Sequence, residues 1–570
     1  MMSLKTIKKI LSVARGEQPA DMVITNAKVI NVFNGQIEES NIAIVDGHIA
    51  GIGDYTEARA VSDLMGKYVA PGFINGHVHI ESSMVDVPEY SRAIVPRGTT
   101  GVVTDLHELA NVLGKKALEY VAAVSSHLPL DIYFMAPSCV PSSRFETSGA
   151  GLDAGDLTEL LKMENILGLG EVMDYPAVIN GEERLLGKIE TFQDRIIDGH
   201  APGITGNDLN AYIAAGIRSD HECVTLEEAR EKLARGMYIM IREGSNEKNL
   251  EALLPLVNDQ NYKRCMLVTD DRTIRDIFRE GDMDWVVYRA IKLGMDPVRA
   301  IQMATINTAE YFGIKKVGAV APGYYANIVT FADLQSMEPE DVLFHGYLIG
   351  RNKEANFTPR VDPVSRPVAT VNIKPLKMKD LELKAEDKDF PVVNIVPGQI
   401  TTKKTMEKAK TEDGLIVADT ERDLLKMVVV ERHFASGNIG RGLVKGLGLR
   451  KGAVACSVAH DAHNIIAIGT NDGDILAAVK AIANMQGGLV MVLKGEVIGS
   501  LPLPVGGLLS VETAEDTAGQ LDDMETLLKV MGVKPESPFS AISFLALPVI
   551  PEMRITDQGI VDVAEQKIIE

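Results

Sequence analysis

A chain of 570 residues is longer than one hydrophobic core usually serves, so two or three domains are expected. The formal charge of −21 disfavours a nucleic-acid partner, whose phosphates would be repelled, and no Lys/Arg-rich run offsets it. No stretch reaches the roughly 18 uninterrupted apolar residues of a membrane span, and Lys5, Lys8 and Lys9 are not followed by the apolar segment and cleavage site of a signal peptide.

Cys139, Cys223, Cys265 and Cys456 are far apart and form no C-x-x-C pair, the pattern of reduced thiols in a cytoplasmic protein. On this reading any metal is held by His, Asp and Glu.

In chain order, the first 70 residues read as short strands joined by hairpin turns: ADMVITNAKVINV, NIAIVDGHIAGIG, then KYVAPGF. From 71 to 310, apolar runs such as TTGVVTD, DIYFMAP, ILGLGEV, MYIMIREG and RCMLVTDD alternate with helical stretches such as TLEEAREKLAR. That alternation implies parallel β/α units, and about 240 residues is the size of a (β/α)8, or TIM, barrel. Residues 318–334 return to β-and-turn texture, so the barrel is expected to interrupt a composite β-sandwich domain built from 1–70 and 311–375. The polar stretch 376–389 reads as a boundary, and 390–570 as a separate C-terminal α+β domain. The expected class is therefore α/β, with no 20–50-residue repeat.

Five of the eleven histidines fall at the ends of apolar runs in the barrel segment: His77 and His79 in PGFINGHVHIESS, His107 in TDLHE, His200 in DGHAPG and His221 in SDHEC. On a strand, His77 and His79 face the same side. The pair is a metal-binding fork or a pair of buried polar groups, and either reading is open for the pair alone. The C-terminal strand ends of a barrel build its active site. Two acidic runs reach the same end, Glu171 and Asp174 in GLGEVMDY and Asp270 and Asp271 in VTDDR. Imidazoles and carboxylates without thiolates suit Zn, Fe, Mn or Ni.

Taken together, PGFINGHVHIESSM, TDLHELANVLG, GLGEVMDYPAVI, DGHAPGI, GIRSDHEC, MIREGS, LVTDDR, ERHFASGNIGRG and SVAHDAHNI resemble, in that order, the adenine deaminases of the amidohydrolase superfamily. The resemblance spans nearly the whole chain. It implies a metal-dependent hydrolase barrel that converts adenine to hypoxanthine and ammonia in purine salvage. It implies two divalent ions, Mn2+ or Fe2+ with Zn2+ as the alternative, held by His77, His79, Glu171, His200, His221 and Asp270. Glu171 would bridge them where many amidohydrolases use a carboxylated lysine. Asp270 would take the proton of the attacking nucleophile.

Glu108, with His107 and Asp105 beside it, is the candidate for binding and protonating the purine edge; the competing role is a carboxylate at the positive end of its helix. Glu81, Asp174, His460 and His463 complete the candidate substrate contacts. The His460/His463 cluster admits three roles: an additional metal site, a wall of the pocket, or a domain or subunit contact. The sequence departs from the family pattern at Leu106, Asn75 and Asn327, which bears on loops rather than on ligands. A homo-oligomer, dimer or tetramer, is expected. The alternatives are another binuclear amidohydrolase acting on a different heterocycle, and a non-catalytic scaffold of the same fold.

Overall fold

The computed structural model describes residues 2–360 and 364–569. It opens on a helix, Leu4–Ala14, where the sequence reading expected only strands. Ser3 caps it by accepting the Thr6 N–H at 3.1 Å, and Ile10 and Val13 fasten one face to the sheet beneath.

That sheet has nine strands. Ala20–Asn31, Gln36–Val45 and His48–Gly53 run antiparallel. The Asp46-Gly47 turn supplies the two positive φ values, 46° and 76°, that a tight hairpin needs. Tyr68–Pro71 pairs with Ile328–Phe331, bringing residues from both flanks of the barrel into one sheet that continues to Glu354–Ala355. The expected sandwich is thus a single sheet, which forks where Ala20–Asn31 pairs with both Ala58–Asp63 and Tyr68–Pro71. The chain leaves it at Pro71 and enters the barrel at Phe73; a Cβ on the intervening Gly72 would collide with the Thr100 side chain.

Eight parallel strands form the barrel: β1 Phe73–Val78, β2 Thr99–Asp105, β3 Asp131–Ala136, β4 Ile166–Val172, β5 Ile196–Gly199, β6 Ser219–Asp220, β7 Tyr238–Arg242 and β8 Cys265–Val268. Regular ladders join β1 through β5 and β6 through β8. The Arg218 N–H donates to the Ile197 carbonyl at 2.9 Å across one seam, and the Asp270 N–H to the His77 carbonyl at 3.0 Å across the other. The last barrel helix runs Ile306–Phe312, past the expected boundary at 310.

The C-terminal part is an eight-stranded sheet with helix Asp472–Asn484 packed on it. Leu376 and Leu381, in the stretch expected to be a polar boundary, are buried in that core together with Val371. Helix Ala514–Val530 lies on the barrel through the ion pairs Arg92–Glu515, Arg275–Glu525 and Arg279–Asp522.

Lys232 shows how the barrel mouth is held. It is fully buried, and its Nζ donates to Asp220 at 2.9 Å, Glu228 at 2.7 Å and the Ala201 carbonyl at 2.7 Å. Removing one partner of a buried ion pair strands the others, at a cost of about 3–5 kcal/mol. Lys232→Ala is expected to lower the first thermal unfolding transition by several degrees, as read by calorimetry.

Candidate metal centre and its roof

Strand β1 points both imidazoles of the H-x-H pair into the barrel mouth. His79 Nε2 stands 3.1 Å from Glu171 Oε1 and 3.3 Å from Asp270 Oδ1; His77 Nε2 is 3.5 Å from the same Asp270 oxygen. From β5 and β6, His200 Nδ1 and His221 Nε2 approach Glu171 Oε2 at 2.6 and 3.2 Å. All six expected ligands therefore meet, in overlapping triads whose donor atoms lie within 4.8 Å of one another.

His77 Nε2 and Glu171 Oε1 are buried without a hydrogen-bond partner. Such atoms are costly unless something pairs with them. The nitrogen and oxygen donors fit a divalent transition metal. Burial disfavours the His200 imidazolium, but Glu222 and Glu171 outweigh it and lift the ring to about 9. A cation at these atoms would displace that proton, because ligating imidazoles are neutral.

The surrounding residues fix the ligands. His79 Nδ1 is 2.9 Å from the Asp105 carbonyl oxygen, and Asp105 Oδ2 accepts the Glu171 N–H at 3.0 Å. Asp105, expected at the substrate, is thus a support beneath the ligands. Gly170 precedes Glu171 because a Cβ there would run into Asp105 Oδ2. Asp270 takes φ = 59°, a left-handed conformation that costs most residues about 1–2 kcal/mol and that Asp tolerates.

Two more expected contacts lie elsewhere. Glu81 is buried under the helix His107–Leu113, where its Oε1 accepts the Leu109 N–H at 3.1 Å and burial pushes its carboxyl up to about 7. Asp174 caps the helix Tyr175–Ile179, accepting the Ala177 N–H at 3.2 Å. Neither lines the pocket.

Glu108 is where the two halves of the chain meet. Its Oε1 is 3.1 Å from His107 Nε2 and bonded to His460 Nδ1, while His463 Nε2 faces its Oε2. Burial favours the neutral carboxyl, but His460, His463 and His107 together hold it well below the usual range. His460 lines the pocket and stacks on Phe544, ring centroids 4.3 Å apart. His463 sits behind Glu108, its Nδ1 accepting the Ala459 N–H at 3.1 Å, and so touches the carboxylate rather than the pocket. Met173, Ile400, Phe544, Leu547 and Ile550 close the pocket from above.

Glu222, Arg242, Glu247 and Asp461 also line this pocket and were not singled out from the sequence, although Glu222 directly follows a ligand in SDHEC and Arg242 ends an apolar run in MIREGS. Arg242 donates to Asp270 Oδ2 at 2.7 Å and to Glu222 Oε2 at 2.9 Å, a bidentate orientation that a lysine does not reproduce.

Loss of such a partner typically weakens metal binding by about 10–100-fold. Arg242→Met is expected to do so in a competitive chelator titration. Among known proteins, the amidohydrolase family model matches residues 68–352, and the adenine deaminase C-terminal domain model matches 399–567. A relative from Dehalococcoides mccartyi named adenine deaminase is 52% identical over 563 residues, 99% of each chain. One from Carboxydothermus hydrogenoformans named adenine deaminase 2 is 46% identical over 569 residues, again 99% of each. Of the solved structures, a β-aspartyl dipeptidase from Fervidobacterium islandicum AW-1 aligns with 59% of this chain and 98% of its own, at 16% identity and a TM-score of 0.46. With near-complete alignment to these relatives and matches to both family models, the chain belongs to the adenine deaminase family of amidohydrolases.

Proposed function

We propose that the chain hydrolyses adenine to hypoxanthine and ammonia, in purine salvage in the cytoplasm, as a homo-oligomer (dimer or tetramer). The observation that carries the reading is Glu108, clamped by His460 and His463 beside the six-ligand cluster, in a chain aligned end to end with relatives named for that reaction.

His77, His79, Glu171, His200, His221 and Asp270 would hold two divalent ions, Mn2+ or Fe2+ with Zn2+ as the alternative. Bound there, such ions supply the Lewis acidity that lets water ionise near neutral pH. Asp270 is oriented for proton transfer: Oδ1 faces the β1 imidazoles and Oδ2 is fixed by Arg242. It accepts the proton that water loses as its oxygen adds to carbon 6 of the purine.

Glu108, which lines the pocket, would bond the ring nitrogen beside that carbon, with His460 within reach to supply the proton it hands over. Return of the Asp270 proton to the amino group lets ammonia leave as the carbon–oxygen double bond forms, and the proton of the added hydroxyl passes back through Asp270 to restore the histidine that gave one up. Met173, Ile400, Leu547 and Phe544 offer apolar surface to the flat ring and keep bulk water out.

The protein reloaded with Mn2+ is expected to release ammonia from adenine in preference to adenosine, guanine, cytosine and hydantoins. Turnover of another heterocycle with none of adenine would overturn the assignment. Glu171→Gln and Asp270→Asn should abolish turnover with the circular dichroism spectrum unchanged. Glu108→Gln should lower kcat by about 10²–10⁴-fold, the usual contribution of a positioned acid.

A further inference from the structure

Cys139, beside the pocket, and Asp461, in its lining, take no part in this reaction. Cys139 follows β3 and is 5% exposed, packed with Met173, Phe544, Leu547 and Ile550. His107 of the barrel and Asp461 of the C-terminal domain converge on it, so that one donor atom from each of the three lies within 4.8 Å of the other two.

His107 Nε2 and Asp461 Oδ1 are 3.8 Å apart, too far for a hydrogen bond. Two ligands on one tetrahedral ion, with bonds of about 2.0–2.3 Å, stand roughly 3.3–3.7 Å apart. Asp461 Oδ2 is buried without a hydrogen-bond partner, in a side chain 1% exposed. Nothing in the packing of an apolar core calls for an aspartate against a thiol, and leaving its outer oxygen unpaired is costly.

The geometry points to a further divalent-cation site formed by His107, Cys139 and Asp461, sharing no residue with the six-ligand cluster and joining the barrel to the C-terminal domain. On binding, the Cys139 thiol gives up its proton and the sulfur bonds the ion, with one proton released to solvent and no change of oxidation state. A thiolate ligand selects Zn2+, Co2+ or Fe2+ over Mn2+, whereas the imidazole and carboxylate cluster accepts Mn2+ as well. The inference does not depend on which heterocycle the enzyme turns over.

The test is cobalt loading of the full-length protein after metal removal. The expected result is a thiolate-to-cobalt charge-transfer absorption in the near ultraviolet, which a centre of imidazoles and carboxylates does not give. Cys139→Ser should abolish that absorption and bind one equivalent of cobalt fewer than the parent by atomic emission. Asp461→Asn should also lose that equivalent. Cobalt uptake without the absorption would overturn the site and leave the six-ligand centre standing. An absorption that persists in Cys139→Ser would overturn it too, by placing the thiolate elsewhere. Absence of any cobalt uptake would overturn both centres. The parent spectrum is decisive even where a variant does not fold.

Discussion

The structure turns on one desolvated carboxylate. Glu171 ends β4 at the barrel mouth with His79, His200 and His221 on its oxygens and His107 Nδ1 at 3.4 Å. A carboxylate out of water is tolerable only where opposite charge or hydrogen bonds replace the solvent, and here four other strand ends or their following loops supply imidazoles. The neighbours of Glu171 follow from the same constraint. Gly170 lacks a side chain so that Asp105 can fit behind, and Asp105 in turn accepts the Glu171 N–H and presents its carbonyl oxygen to His79.

The second constraint is the contact between domains. Glu108 belongs to the barrel, but two of the three imidazoles on it come from residues 460–463, so the barrel alone holds only part of the site. The ion pairs from helix Ala514–Val530 to barrel residues at positions 92, 275 and 279 explain how that distant segment is kept in register. Of the three, Arg275–Glu525 is the buried one, where a charged pair fixes geometry more reliably than it adds stability. Such pairs suit a surface that must place His460 and the apolar roof over the metal ligands without much tolerance.

Much of this arrangement was legible in the sequence, for a physical reason. Ligands at strand ends are tied to the strand period, so H-x-H, GEV and TDD could be placed on one barrel face before any fold was known. The helix Leu4–Ala14 escaped notice because its apolar face is short and Lys5, Lys8 and Lys9 dominate the segment. Asp105, Glu81 and Asp174 were misplaced because an acidic residue near a strand end looks the same in sequence whether it enters the pocket, accepts a backbone N–H or caps a helix. The pairing of Glu108 with His460 spans 352 positions, and no local pattern records it. Leu376 and Leu381 were hidden by their lysine- and aspartate-rich surroundings, although both face the core.

Charge balance connects the site's composition to its chemistry. Seven acidic side chains line the pocket against a single guanidinium, that of Arg242. Seven buried carboxylates cannot all ionise around Arg242 alone, so the five imidazoles of the lining must take up protons, or the site must bind metal ions. The structure displays both responses. Burial lifts Glu247 to about 8, which keeps it protonated at neutral pH, whereas the imidazoles around Glu171 hold that carboxyl well below its usual range. Proton uptake suits a carboxyl that donates hydrogen bonds, and cation uptake suits one that orders a nucleophile. Surplus negative charge is therefore what lets one pocket hold carboxyls of opposite protonation state, here Glu247 and Glu171.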